Sequence, residues 1–240
     1  MITPLSRTRS RETAGTEGTT ASRRSTLRFR RTRSAAAGIG AAALAAAVSG
    51  AVLPATATAE PARQQPPGCG AECERVFDLS LPYDVRFTGW RDDSVPGGRS
   101  VLAYYIGDEL HDTQDLPDRG VQDAECGWDG DAQRCAVTYY TGAHSTGALS
   151  ALLTADRGIE ETDSVRGAAP GATLRQLDGN GRPDVAIRQS TLDPNYADAP
   201  RYWETYLEFE GEFVRTGCGA PEQHPSPAPT EPLYGTCVHY

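Results

Sequence analysis

From Val76 onward the chain reads as short apolar or aromatic runs separated by Gly, Pro, Asn and Asp, and no stretch spaces its apolar residues at the 3.6 period of a long amphipathic helix. The pattern predicts strands at 76–79, 84–88, 100–106, 134–141, 148–154, 173–177, 184–188, 202–209 and 212–216. Within 202–209, alternation places Tyr202, Glu204, Tyr206 and Glu208 on one face and Trp203, Thr205, Leu207 and Phe209 on the other. The acidic face is expected to meet water and the apolar face the core. Glu210-Gly211 then reads as a hairpin turn into Phe213-Val214. The fold class expected is all-β, with antiparallel sheets.

Three stretches interrupt this pattern. Between 107 and 130 the chain carries Asp108, Glu109, Asp112, Asp115, Asp118, Asp123, Glu125 and Asp129 among few apolar residues, so a long solvated acidic loop is expected. Residues 60–75 are rich in Pro and Gly and read as a flexible lead-in, while Pro221, Pro225, Pro227, Pro229 and Pro232 make 220–240 an extended tail. The β-rich domain is bounded at 76–219, and no repeat spans the full length.

The first 59 residues have the order of a secretory signal peptide. Arginines from Arg23 to Arg33 precede an uncharged, Ala-rich run at 35–53, and Ala57-Thr58-Ala59 offers the small-x-small pattern of a cleavage site. A retained membrane anchor is the alternative, opposed by the weak hydrophobicity of Ala and by Pro54. Ser22-Arg23-Arg24-Ser25-Thr26-Leu27-Arg28 resembles the twin-arginine export signal, with Thr26 where that signal usually has Phe. Both export routes remain open.

Removal of the leader changes the electrostatics. The net charge of −9 becomes about −16, because the leader holds nine arginines and only Glu12 and Glu17 among acids. So acidic a chain repels phosphate backbones and anionic bilayers, which makes nucleic acid and membrane poor partners and a divalent cation a suitable one. The chain has no lysine, which excludes Schiff-base chemistry and a lysine general base. All six cysteines lie beyond the leader, an even count that reads as disulfides in an oxidising compartment. Of fifteen connectivities the local one, 69 to 73, 126 to 135 and 218 to 237, closes the shortest loops. Zinc ligation by Cys69 and Cys73 is the alternative for the first pair, with no His or further Cys nearby in sequence.

The stretch Gln176-Leu177-Asp178-Gly179-Asn180-Gly181-Arg182-Pro183-Asp184 carries oxygen donors at every second position before the strand that opens at Asp184. Calcium takes six to eight oxygens from such tightly turning loops. Gln176, Asp178, Asn180, the backbone carbonyl of Arg182 and Asp184 are the expected ligands, and the Arg182 guanidinium is expected in solvent. The segment resembles the FG-GAP and VCBS-type repeats of β-propellers, carried by Asp178-Gly179-Asn180-Gly181-Arg182-Pro183-Asp184-Val185. The resemblance implies a calcium loop between two strands of a four-stranded blade. Gln176 departs from it, since the family has Asp there, and Asn180 supplies an amide in place of a carboxylate. Too few strands are expected for a closed propeller, which leaves a partial propeller of two or so blade-like sheets, or a sandwich.

The function these features point to is a secreted, disulfide-bonded β-domain with a structural calcium ion and an extracellular protein or polysaccharide as partner. Two alternatives rest on other residues. A small hydrolase would draw its base from His111 or His144, since His224 and His239 lie in the tail, yet the chain has no Gly-x-Ser-x-Gly elbow. A cell-wall or polysaccharide-binding module would use Tyr202 and Tyr206 as a platform.

Overall fold

Twelve strands form among the described residues of a computed structural model, which are 65–130, 132–224 and 226–237. The expected signal peptide, the first part of the lead-in, Pro225 and His239 lie outside the described residues. β1 (Cys73–Leu81), β2 (Val85–Asp92), β3 (Arg99–Ile106) and β4 (Glu109–Leu116) make a first antiparallel sheet in chain order. β5 (Gly120–Asp129), β6 (Ala132–Tyr140), β7 (Thr146–Thr154) and β8 (Gly158–Gly167) make a second. β9 (Ala172–Arg175), β10 (Asp184–Ser190), β11 (Arg201–Phe209) and β12 (Glu212–Cys218) make a third. The described residues are thus all-β, in three blade-like meanders where two or so were expected.

The second sheet lies between the other two, and its alternating side chains decide the packing. Cys135, Val137 and Tyr139 on β6, with Leu149, Ala151 and Leu153 on β7, meet Phe77, Phe87, Leu102 and Tyr104 of the first sheet. The intervening residues, Ala136 and Ala148, meet Leu174, Val185, Ile187, Tyr206 and Phe213 of the third. Bulky residues fill one seam and small ones the other, so β6 and β7 read as nearly continuous apolar runs. First strands contact first strands, β1 with β5 and β5 with β9, and last strands contact last strands, β4 with β8 and β8 with β12.

All nine expected strands are present, and three more occur where polar sequence hid them. β4, β5 and β8 are edge strands of the first and second sheets. The acidic stretch expected as a loop is therefore mostly β4 and β5. Charge on an edge strand discourages pairing with another chain, and it also erases the apolar signal.

The acidic face of β11 is buried, contrary to expectation, and the apolar face is buried as well at Trp203 and Thr205. Tyr202, Glu204, Tyr206 and Glu208 are all buried. The opposite face carries Trp203 and Thr205, which the tail covers: Trp203 Nε1 donates to the Ser226 carbonyl at 2.9 Å, and the Leu233 N–H donates to Thr205 Oγ1 at 2.9 Å. The three disulfides have the local pairing. Cys126–Cys135 joins the paired strands β5 and β6, Cys69–Cys73 closes a turn before β1, and Cys218–Cys237 ties the tail to the end of β12.

Candidate metal loop between the second and third sheets

The connection from β9 to β10 holds all five expected ligand residues, and its curl follows from its glycines. Gly179 and Gly181 take φ of +73° and +85°, angles that a side chain resists. Between them the polar side chains fold onto the loop's own backbone. Asp178 Oδ1 accepts the Asn180 N–H at 3.0 Å, Asp178 Oδ2 accepts Asn180 Nδ2 at 2.9 Å, and Asn180 Oδ1 accepts the Arg182 N–H at 2.6 Å.

Asp184 closes the loop from a fully buried position. One carboxylate oxygen accepts the Leu177 N–H at 2.8 Å and the other the Glu208 N–H of β11 at 2.9 Å. Burial pushes its carboxyl above the ordinary range, the nearby charge of Asp178 adds to this, and backbone N–H groups of Glu208, Leu177 and Asp178 pull the other way. Asp178 and Asp184 thus form a repelling pair, one exposed and one buried.

Two neighbours were not legible in the sequence. Gln176 Nε2 donates at 2.8 Å to Glu125 of β5, which brings a third carboxylate to the rim where Gln176 stands in place of the family's Asp. Arg182, expected in solvent, instead turns its guanidinium inward, 3.8 Å from the buried carboxylate of Glu208, whose other oxygen lies 3.7 Å from Arg134. A buried acid attracts the only cation the loop carries, which overrides the preference of Arg for water.

The donors suit a hard cation in kind, being carboxylate, amide and carbonyl oxygens. The loop offers five such residues, fewer than the six to eight oxygens calcium takes, with Glu125 beside them bonded to Gln176. Among the described residues the three metal-donor side chains that converge are Glu204, Cys218 and Cys237 rather than Asp178, Asp184 and Glu125, and the two sulfurs are joined as a disulfide and offer no thiolate.

The residues named for a hydrolase or a polysaccharide platform do not come together. His111 is exposed on β4 with its ring edge-on to Tyr104, and exposed His144 stacks on Tyr196 at 4.3 Å. Ser145, beside His144, donates its hydroxyl to the Gly167 carbonyl at 2.9 Å. The Tyr202 and Tyr206 platform is buried, with the Tyr206 hydroxyl donating to Glu204. Glu204 also accepts Gln189 Nε2 at 2.9 Å and Arg215 Nη1 at 3.3 Å, so its charge is spent within the seam.

No protein-family model, curated protein or solved structure matches the chain.

Proposed function

We propose that this is an exported β-domain in which calcium at the 176–184 loop braces the seam between the second and third sheets, and that the domain serves to bind an extracellular protein or polysaccharide. The observation that carries the reading is Asp184, a buried carboxylate held beside Asp178 at the point where the loop, β10 and β11 meet. Bound calcium would supply the positive charge that this pair lacks. Gln176, Asp178, Asn180, the Arg182 carbonyl and Asp184 would hold it, and the similarity of 178–185 to FG-GAP and VCBS-type loops supports the same assignment.

Three disulfides support an oxidising compartment, in keeping with export directed by residues 1–59. Equilibrium dialysis of the mature chain against calcium tests the proposal. One ion per chain with a Kd of about 10⁻⁴ to 10⁻³ M is expected of a loop with two carboxylates. No uptake up to about 10 mM would reject it.

A further inference from the structure

The turn between β1 and β2 holds a bulky residue where the backbone favours glycine or asparagine. Tyr83 has φ of +63° and the next residue, Asp84, +60°. A tyrosine in this region costs on the order of 1 kcal/mol or more, and such strain persists where the side chain has a use. Tyr83 gains little burial in return, since it is 77% exposed. Its ring lies 5.2 Å from that of Trp128, tilted by 40°. Trp128 sits near the end of β5 and is 44% exposed, whereas Trp90 and Trp203 are buried. Two aromatic rings from adjacent sheets therefore form an open shelf.

The turns next to Tyr83 carry the acids Asp84 and Asp108. The Gly107 N–H donates to the Asp84 carbonyl at 2.7 Å, which sets Asp108 and the turn between β3 and β4 against the turn that carries Tyr83. The nearest arginine in sequence, Arg86, bonds Asp78 at 2.7 and 3.2 Å and lies over the ring of Tyr105, with the charge of Asp108 a weaker influence on it. Aromatic faces beside carboxylates attract cations twice over, through the ring quadrupole and through charge, and Trp is the strongest such ring. A neutral sugar would stack on the rings and donate hydroxyl hydrogen bonds to the carboxylates, but would gain neither the cation–π nor the charge term.

We propose that Tyr83 and Trp128, with Asp84 and Asp108 beside them, form a docking shelf for an arginine or lysine side chain of a basic partner polypeptide. The long stem of such a side chain lies along the rings while its charged head meets the carboxylates. The negative charge of the mature chain favours the same partner at longer range. The shelf joins the first and second sheets, whereas the 176–184 loop packs on β5 from the side of the third.

The test is a titration of the mature chain in chelator and physiological salt with a short arginine-containing peptide and with the same peptide bearing citrulline, the neutral isostere. It is followed by the backbone and indole NMR signals. Shifts centred on Trp128 and Tyr83 are expected, with the arginine peptide at least about threefold tighter. Trp128→Ala should abolish the binding, and Tyr83→Gly should weaken it while leaving the thermal midpoint equal or higher, because glycine relieves the strain. Equal affinity for the citrulline peptide, unchanged binding in Trp128→Ala, or no shift at all would overturn the proposal. So would an oligosaccharide that shifts the same signals when neither peptide does.

Discussion

The carboxylate of Asp184 accepts the backbone N–H of Glu208, a residue 24 positions further along the chain, at 2.9 Å. Its second oxygen holds Leu177 on the opposite side of the loop. One buried side chain thus fixes the loop's start to the middle of the third sheet. Asp184→Ala leaves two N–H groups without their acceptor and is expected to cost about 3 kcal/mol. Asp184→Asn, which keeps one accepting oxygen, should cost less. Urea midpoints of the three proteins check the order.

Glu208 makes a second prediction by contrast with a surface acid. Its side chain is only 1% exposed and lies between Arg134 and Arg182. Glu208 also accepts the Gly211 N–H at 2.6 Å, so Glu208→Ala removes a buried acceptor and a buried charge and is expected to cost about 3 kcal/mol. Glu160 is paired with Arg157 at 2.7 Å, but 46% of its side chain is exposed. Glu160→Ala should change stability by less than about 1 kcal/mol. Chemical denaturation of both variants separates a buried cluster from an ordinary surface pair.

These acids mark how far the sequence could be read. Alternation in 202–209 correctly divided the residues between two faces, but it carries no sign saying which face is inside. The answer depended on partners distant in sequence, Arg134 for Glu208 and Gln189 and Arg215 for Glu204, and on a tail whose Ser226 and Leu233 cover Trp203 and Thr205. The apolar strands β3, β6 and β7 were legible because they are buried on both faces. β4, β5 and β8 were not, because these edge strands carry mostly charged, polar and glycine residues, whereas the edge strands β1, β9 and β12 keep an apolar signal. The candidate loop was legible residue by residue, since its spacing is local. Glu125 was not, because it arrives from another sheet.

Close packing of the loop on β5 gives a third prediction. A Cβ at Gly127 would land on the carbonyl oxygen of Gly181 and within 3.0 Å of Arg182 Cα. Backbone cannot swing aside as a side chain can. Gly127→Ala is therefore expected to displace the loop and destabilise the protein by about 1 to 3 kcal/mol. The affected amides, those of 178–184, should be visible in hydrogen exchange before the rest of β10 responds.

Tyr206 sets the behaviour at high pH. Burial pushes its phenol well above the usual range, and its bond to Glu204 adds to the shift. The unfolded chain releases this proton near pH 10, below the folded value. The folded state therefore holds the proton longer, and the contribution of Tyr206 is complete below about pH 10 and is lost as pH rises toward the folded value. Tyr206→Phe should lower stability at neutral pH through the lost hydrogen bond and also flatten the alkaline decline. Denaturation midpoints at pH 8 and at about pH 10.5 provide the comparison.

The proposal of calcium at the 176–184 loop is tested most directly by the thermal midpoint of the mature chain as calcium is raised to about 10 mM, with Asp178→Asn measured in parallel. Asp178 is exposed, and Asn preserves its shape, so the variant should fold normally in chelator. Ligand linkage at a Kd of about 10⁻³ to 10⁻⁴ M predicts a gain of about 1.4 to 2.7 kcal/mol, or a rise of roughly 3 to 8 °C, in the natural protein. The variant should show little or none of it. A midpoint that stays flat in the natural protein, or rises equally in both, would contradict calcium at this loop.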